Sequence, residues 1–147
     1  MILLLSMPGG SEWILIFGAL GIMLIPKIFY LITLQATLEA ISPQNRKMPP
    51  VNVWLLFIPL FGTIWHFFIV SNLADSIKAE ANDLNINTDE QRPGYNVGLA
   101  MCILNCLFFF PFAGLAGIIC WIVYWVKIAG YKNLILMERS KLNSSTV

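Results

Sequence analysis

An ionisable side chain inside an apolar run is costly unless paired, and it marks a site by default. Lys27 is the clearest case, set directly after Pro26 in a long apolar stretch. Its ammonium could serve a polar ligand or counter-ion. Equally, it could snorkel toward water or lie over the ring of Tyr30. His66 is the only histidine and stands between Trp65 and Phe67. Imidazole can bind a metal or haem or relay protons, or it can simply hydrogen-bond between helices. Asn105 reads as interhelical glue, and Asp75 lies just past the second apolar run. Together Lys27, His66, Asn105 and Asp75 form the candidate intramembrane polar set.

Other chemistries find less support. Ser71, His66 and Asp75 share one helix with no oxyanion site beside them. No Gly-rich phosphate loop, nucleophile elbow or paired intramembrane carboxylate is present. Asp83, Asn85 and Asn87 open like a calcium loop, but Thr88 takes the required glycine position and Gly94 the required glutamate position. Cys102, Cys106 and Cys120 are an odd count inside apolar runs, which argues against a disulfide framework. Cys102 and Cys106 share a helix face, yet a zinc site needs about four ligands. The sequence therefore predicts no enzyme, no cofactor and no metal.

The elements that must hold these residues are apolar. Apolar residues make up 58% of the chain and charged ones 12%, against about 25% charged in ordinary globular domains. Mean hydropathy is +0.75. A net charge of +1 excludes a basic nucleic-acid binder. The pattern predicts an all-α polytopic bundle of about four transmembrane helices arranged as two hairpins, in one integral membrane domain. The spans fall at about 13–36, 51–72, 96–111 and 113–130, since a crossing needs roughly 20 residues. Pro26 is expected to open a break in the first span, whereas Pro59 and Gly62 are tolerated inside the second. Pro111 to Gly114 mark a tight turn, with one kinked span as the alternative. A polar loop covers about 75–95, and an amphipathic tail about 131–147. Met1 to Ser6 lack a basic flank and are broken by Pro8, so no cleaved leader is expected.

Small residues suggest where helices meet: Gly98, Cys102 and Cys106 on the third span, Ala113 and Gly117 on the fourth. Trp13, Trp54, Trp121 and Trp125 fall near span ends and read as interface anchors. Basic residues favour cytoplasmic N- and C-termini, with Arg46 and Lys47 and the Pro111 turn on the far side. Spans two and four would then run in the same direction, and their faint likeness admits a parallel repeat. Beyond the bilayer, Leu73, Ile77 and Leu84 and the tail are expected to pack on each other, on lipid headgroups or on a partner; Asp75, Glu80 and Asp83 facing Lys132, Arg139 and Lys141 favour the first.

The run Leu34-Gln35, Leu38, Pro43, Asn45-Arg46, Met48, Pro50, Val53-Trp54-Leu55 and Ile58-Pro59 resembles a family of small multi-pass bacterial inner-membrane proteins with no assigned activity. So does Trp121 to Ala129. The resemblance implies a multi-pass protein of the inner (cytoplasmic) membrane and adds no site. Function is therefore expected to be non-catalytic: a binding or assembly module, working as a homo-oligomer or as a subunit of a larger complex in the lipid bilayer. An oligomeric small-solute or ion transporter is the alternative.

Overall fold

The computed structural model describes residues 10–58, 60–107 and 110–146, the side chains of Met23 and Pro111 excepted. All regular structure among them is helical: α1 (Gly10–Ala40), a 3-10 helix (Pro50–Phe57), α2 (Phe61–Asp83), α3 (Tyr95–Cys106) and α4 (Pro111–Ser145). Two helices, α1 and α4, are long and apolar enough to cross a membrane.

Prolines account for most of the boundaries. The 3-10 helix starts on Pro50, where the missing N–H costs nothing. Ile58 is extended, the conformation imposed on a residue that precedes proline. Leu60 then takes a positive φ of 63°, and α2 begins at Phe61. The turn closes tightly over Gly62, where a Cβ would stand 2.6 Å from the Leu56 carbonyl oxygen. The expected span at 51–72 is thus two helices joined by a reversal. Phe110 is likewise extended ahead of Pro111, and α4 opens on that proline. At Pro26 the expectation fails, because α1 continues through it. The ring removes one backbone hydrogen bond but leaves the helix intact.

Cross-contacts fix the chain direction. Tyr30 meets His66, and Ser42 meets Glu80, so α2 runs parallel to α1. Tyr30 meets Trp121, Thr33 meets Trp125, and Ser42 meets Arg139, so α4 does too. The 3-10 helix runs back along α1, with Trp54 on Gln35 and Phe57 under Lys27. Similarly α3 opposes α2, its Gly98 facing Val70 and the preceding Arg92 bonded to Asp75. The 3-10 helix with α2, and α3 with α4, are therefore two hairpins that both start and finish at the same end of the molecule as the last turn of α1.

That polar end gathers every lysine and arginine except Lys27. The expected placement of Arg46 and Lys47 opposite the other cations is overturned. The Lys47 N–H donates to Ser76 Oγ (2.9 Å), and the Asn45 amide donates to Glu80 (2.8 Å) and Asp83 (2.7 Å). Side-chain bonds of this kind tie the loop after α1 to the C-terminal half of α2. The opposite end holds the two apolar turns.

Between the ends lies one apolar core: Tyr30, Leu31, Leu34, Leu38 and Ile41 of α1 against Ile69, Leu73 and Ile77 of α2, Met101 of α3, and Tyr124, Ile128 and Ile135 of α4. The spacing is that of helix faces meeting at every third or fourth residue. Gly98 lets α3 approach, since a Cβ there would sit 2.6 Å from Val70 Cγ1 and 2.7 Å from Tyr124 Cε2. Toward its N-terminus the described part of α1 is largely exposed. Trp13, Ile14, Leu15, Ile16, Phe17, Leu20, Ile22, Leu24 and Ile25 are all exposed. From Gly10 to Tyr30 is about 30 Å of helix, the thickness of a hydrocarbon core.

Candidate functional site

The two hairpins differ in reach, and the difference makes a cavity. α2 begins five residues, about 7.5 Å, before His66, while α4 begins ten residues, about 15 Å, before Trp121. His66 and Trp121 both stand beside Tyr30. The first hairpin therefore stops short beside the second, and a cavity of about 630 Å³ opens above its turn.

Its floor is polar. Tyr30 is buried, and its hydroxyl lies 2.8 Å from His66 Nε2. The two rings also meet edge-on, with centroids 5.8 Å apart. The walls are the apolar side chains of Leu56, Phe57, Ile58, Leu60, Ile118 and Trp121. Lys27 sits at the rim, its ammonium 5.3 Å from the centroid of the Phe57 ring. The cation–π partner is thus Phe57 across the 3-10 helix rather than Tyr30. Asn105 and Thr63 complete the polar lining. A mostly apolar cavity of this size with a few converging polar groups is the usual form of a small-molecule site.

Three members of the candidate polar set, Lys27, His66 and Asn105, come together here. Asp75 does not. It lies nine residues, about 13.5 Å of helix, beyond His66 and is clamped by Arg92 through two bonds of 2.8 and 2.9 Å. The same guanidinium reaches Ser71 Oγ and stacks 3.9 Å over the Tyr95 ring. No match was found to any protein-family model, curated protein or solved structure. The reading of the site therefore rests on its own geometry.

The helix-packing residues divide. Gly98 and Cys102 are buried between helices, and Cys102 also lines the cavity, whereas Cys106 is exposed. Gly117 faces Asn105 across the second hairpin, and Ala113 is half-buried. The tryptophans divide as well. Trp13 is exposed and stacked on Phe17. Trp54 donates to Gln35 (2.6 Å) and Trp125 to Thr33 (2.9 Å), which pins these two rings within the bundle. Trp121 is a wall of the cavity. Sequence reasoning passed over Tyr30 as a functional group, although it follows Lys27 by three residues and so stands on nearly the same helix face.

A second polar group closes the opposite end. Glu80 is 1% exposed and accepts bonds from the Ser42 N–H (3.0 Å), Ser42 Oγ (3.0 Å), Asn45 Nδ2 (2.8 Å) and Arg139. Burial pushes its carboxyl up, but these bonds outweigh burial and hold it below its ordinary value. The expected facing of acids and bases is corrected in detail. Only Glu80 meets a basic residue of the tail; Asp75 binds Arg92, Asp83 accepts from Asn45, and Lys141 pairs with Glu138 on its own helix. Glu90 pairs with Lys127 and accepts from the Gly94 N–H (2.6 Å), which holds the loop before α3 against α4. The bond from Lys127 in turn keeps the Glu90 carboxyl low.

Proposed function

We propose that this chain is an integral membrane protein that binds a membrane-soluble molecule in the cavity above its first hairpin. The observation that carries this is the cavity itself: an apolar chamber with Lys27, Tyr30, His66 and Asn105 on its lining, at the end of the molecule that bears no other lysine or arginine among the described residues. The polar end faces the cytoplasm by the excess of basic residues there. α1 crosses the bilayer, its N-terminal end on the far side, and the hairpins enter from the cytoplasmic side and return to it. This replaces four separate crossings and a cytoplasmic N-terminus. The twelve residues of α3 cover about 18 Å, short of the roughly 30 Å core. The first hairpin turns within the hydrocarbon, and so its cavity is reached through lipid. Exposed apolar faces on α1 and on α4 meet lipid or further copies of the chain.

A transport path through Lys27, His66 and Asp75 has less support, because Asp75 is held by Arg92 on the far side of the core. The arrangement is tested by single cysteines in a background lacking Cys102, Cys106 and Cys120. With an impermeant maleimide on intact cells, Asn45→Cys and Asn87→Cys should both stay unlabelled and both react after permeabilisation, while Ser11→Cys should react at once. Labelling of Asn45→Cys but not Asn87→Cys in intact cells would refute the placement of the two hairpins.

A further inference from the structure

Resting on that binding reading, we infer that the guest is a long-chain carboxylic acid whose carboxyl group pairs with Lys27. Charge complementarity is the first reason. Lys27 is the one charged residue on the cavity lining, and no carboxylate lines the cavity among the described residues. Every acid in the chain except Glu12 lies at the polar end. Glu12 is fifteen residues up α1 from Lys27, about 22 Å along the helix. Asp75, Glu80 and Glu90 are each bound to a cation of that end. The Tyr30 hydroxyl is already bonded to His66 Nε2. What the cavity lacks is an anion within reach of the Lys27 ammonium.

The walls supply the second reason. Leu56, Phe57, Ile58, Leu60, Ile118 and Trp121 line the cavity with apolar side chains suited to a hydrocarbon chain. Asn105 and Thr63 add neutral donors for a second carboxyl oxygen. The route of entry is the third. A permanently charged phosphate headgroup is held at the membrane surface by its solvation. A carboxylate seated against the Lys27 ammonium cancels the one charge on the cavity lining, so the occupied site carries no net charge.

The test uses the full chain in nanodiscs of phosphatidylcholine, with binding followed by native mass spectrometry and by the carbon-13 signal of carboxyl-labelled palmitic acid. Palmitic acid should bind one to one, hexadecanol about tenfold more weakly or worse, and acetate not at all, because a charge-assisted bond is worth roughly 1.5–3 kcal/mol. Lys27→Met should weaken palmitic acid by the same factor and leave hexadecanol unchanged. Should Lys27→Met fail to fold, the acid-against-alcohol comparison on the unaltered protein still decides. Ile118→Trp, which adds bulk to the chamber wall, should weaken both. Equal binding of palmitic acid and hexadecanol overturns the assignment of the acid while leaving the cavity a binding site, as does dipalmitoyl phosphatidic acid outcompeting palmitic acid. If no chain-bearing probe binds the folded protein, the binding reading itself falls.

Discussion

Replacing Glu80 by Ala should loosen the polar end more than any other single change of charge. The carboxylate is 1% exposed and accepts from three residues that belong to the loop after α1 and to α4. Removing one partner of a buried pair costs about 3–5 kcal/mol, mostly through the group left behind. Here the loss is smaller for two reasons. Arg139 keeps 35% of its side chain in solvent and can turn to water. Asn45 retains its bond to Asp83. The Ser42 N–H and hydroxyl both lose their acceptor, so the expected loss is about 2–3 kcal/mol. Lys141→Ala, which breaks an exposed pair with Glu138, should change stability by less than about 0.5 kcal/mol. Unfolding in mixed micelles with rising dodecyl sulfate gives the stability, and hydrogen exchange over residues 42–47 and 131–146 gives its location. The pH dependence supplies an independent check. Because the folded carboxyl titrates below its ordinary 4.5, its contribution is complete above that pH and disappears as pH falls through the lower folded value. Glu80→Gln should flatten that acid limb. An unchanged midpoint and unchanged exchange in Glu80→Ala would refute the claim that this residue holds the end together.

Gly98→Ala should destabilise by about 1–3 kcal/mol in the same titration, since its Cβ would overlap Val70 and Tyr124. Gly114→Ala, with open space around it, should be neutral or gain up to about 1 kcal/mol. Tyr30→Phe and His66→Phe should each cost about 1 kcal/mol, and a double-mutant cycle should show the two losses overlapping, because they remove one hydrogen bond. Strictly additive losses would mean that the bond contributes nothing.

Much of the site was legible because charge in an apolar run is conspicuous. Lys27, His66 and Asn105 stood out from residue type alone, and they line one cavity. What the sequence concealed was reach. Hydropathy scores Val51 to Asn72 as one crossing, and it does not register that Ile58, ahead of a proline, must be extended, or that Gly62 admits a carbonyl where any Cβ would collide. The fold was legible as helices and obscure as topology. Counting cations along the chain puts Arg46 and Lys47 opposite the rest only if each apolar run is a crossing. The bonds from Asn45 and Lys47 to α2 join distant parts of the chain and leave no local signature. Asp75 was grouped with His66 by proximity in sequence, whereas a helix separates the two along its axis. Tyr30 was treated as a neighbour of Lys27 because its partner, His66, is 36 residues away.

The two turns at the apolar end bear on how such a chain enters a membrane. Residues 58–60 read Ile-Pro-Leu and residues 107–110 read Leu-Phe-Phe-Phe, with no charged or strongly hydrated side chain among them. In the proposed arrangement these turns are the leading edges of the hairpins, while the solvated loops stay on the side of synthesis. Inserting either hairpin therefore requires no polar segment to be carried through hydrocarbon, and the transmembrane potential does no work on it.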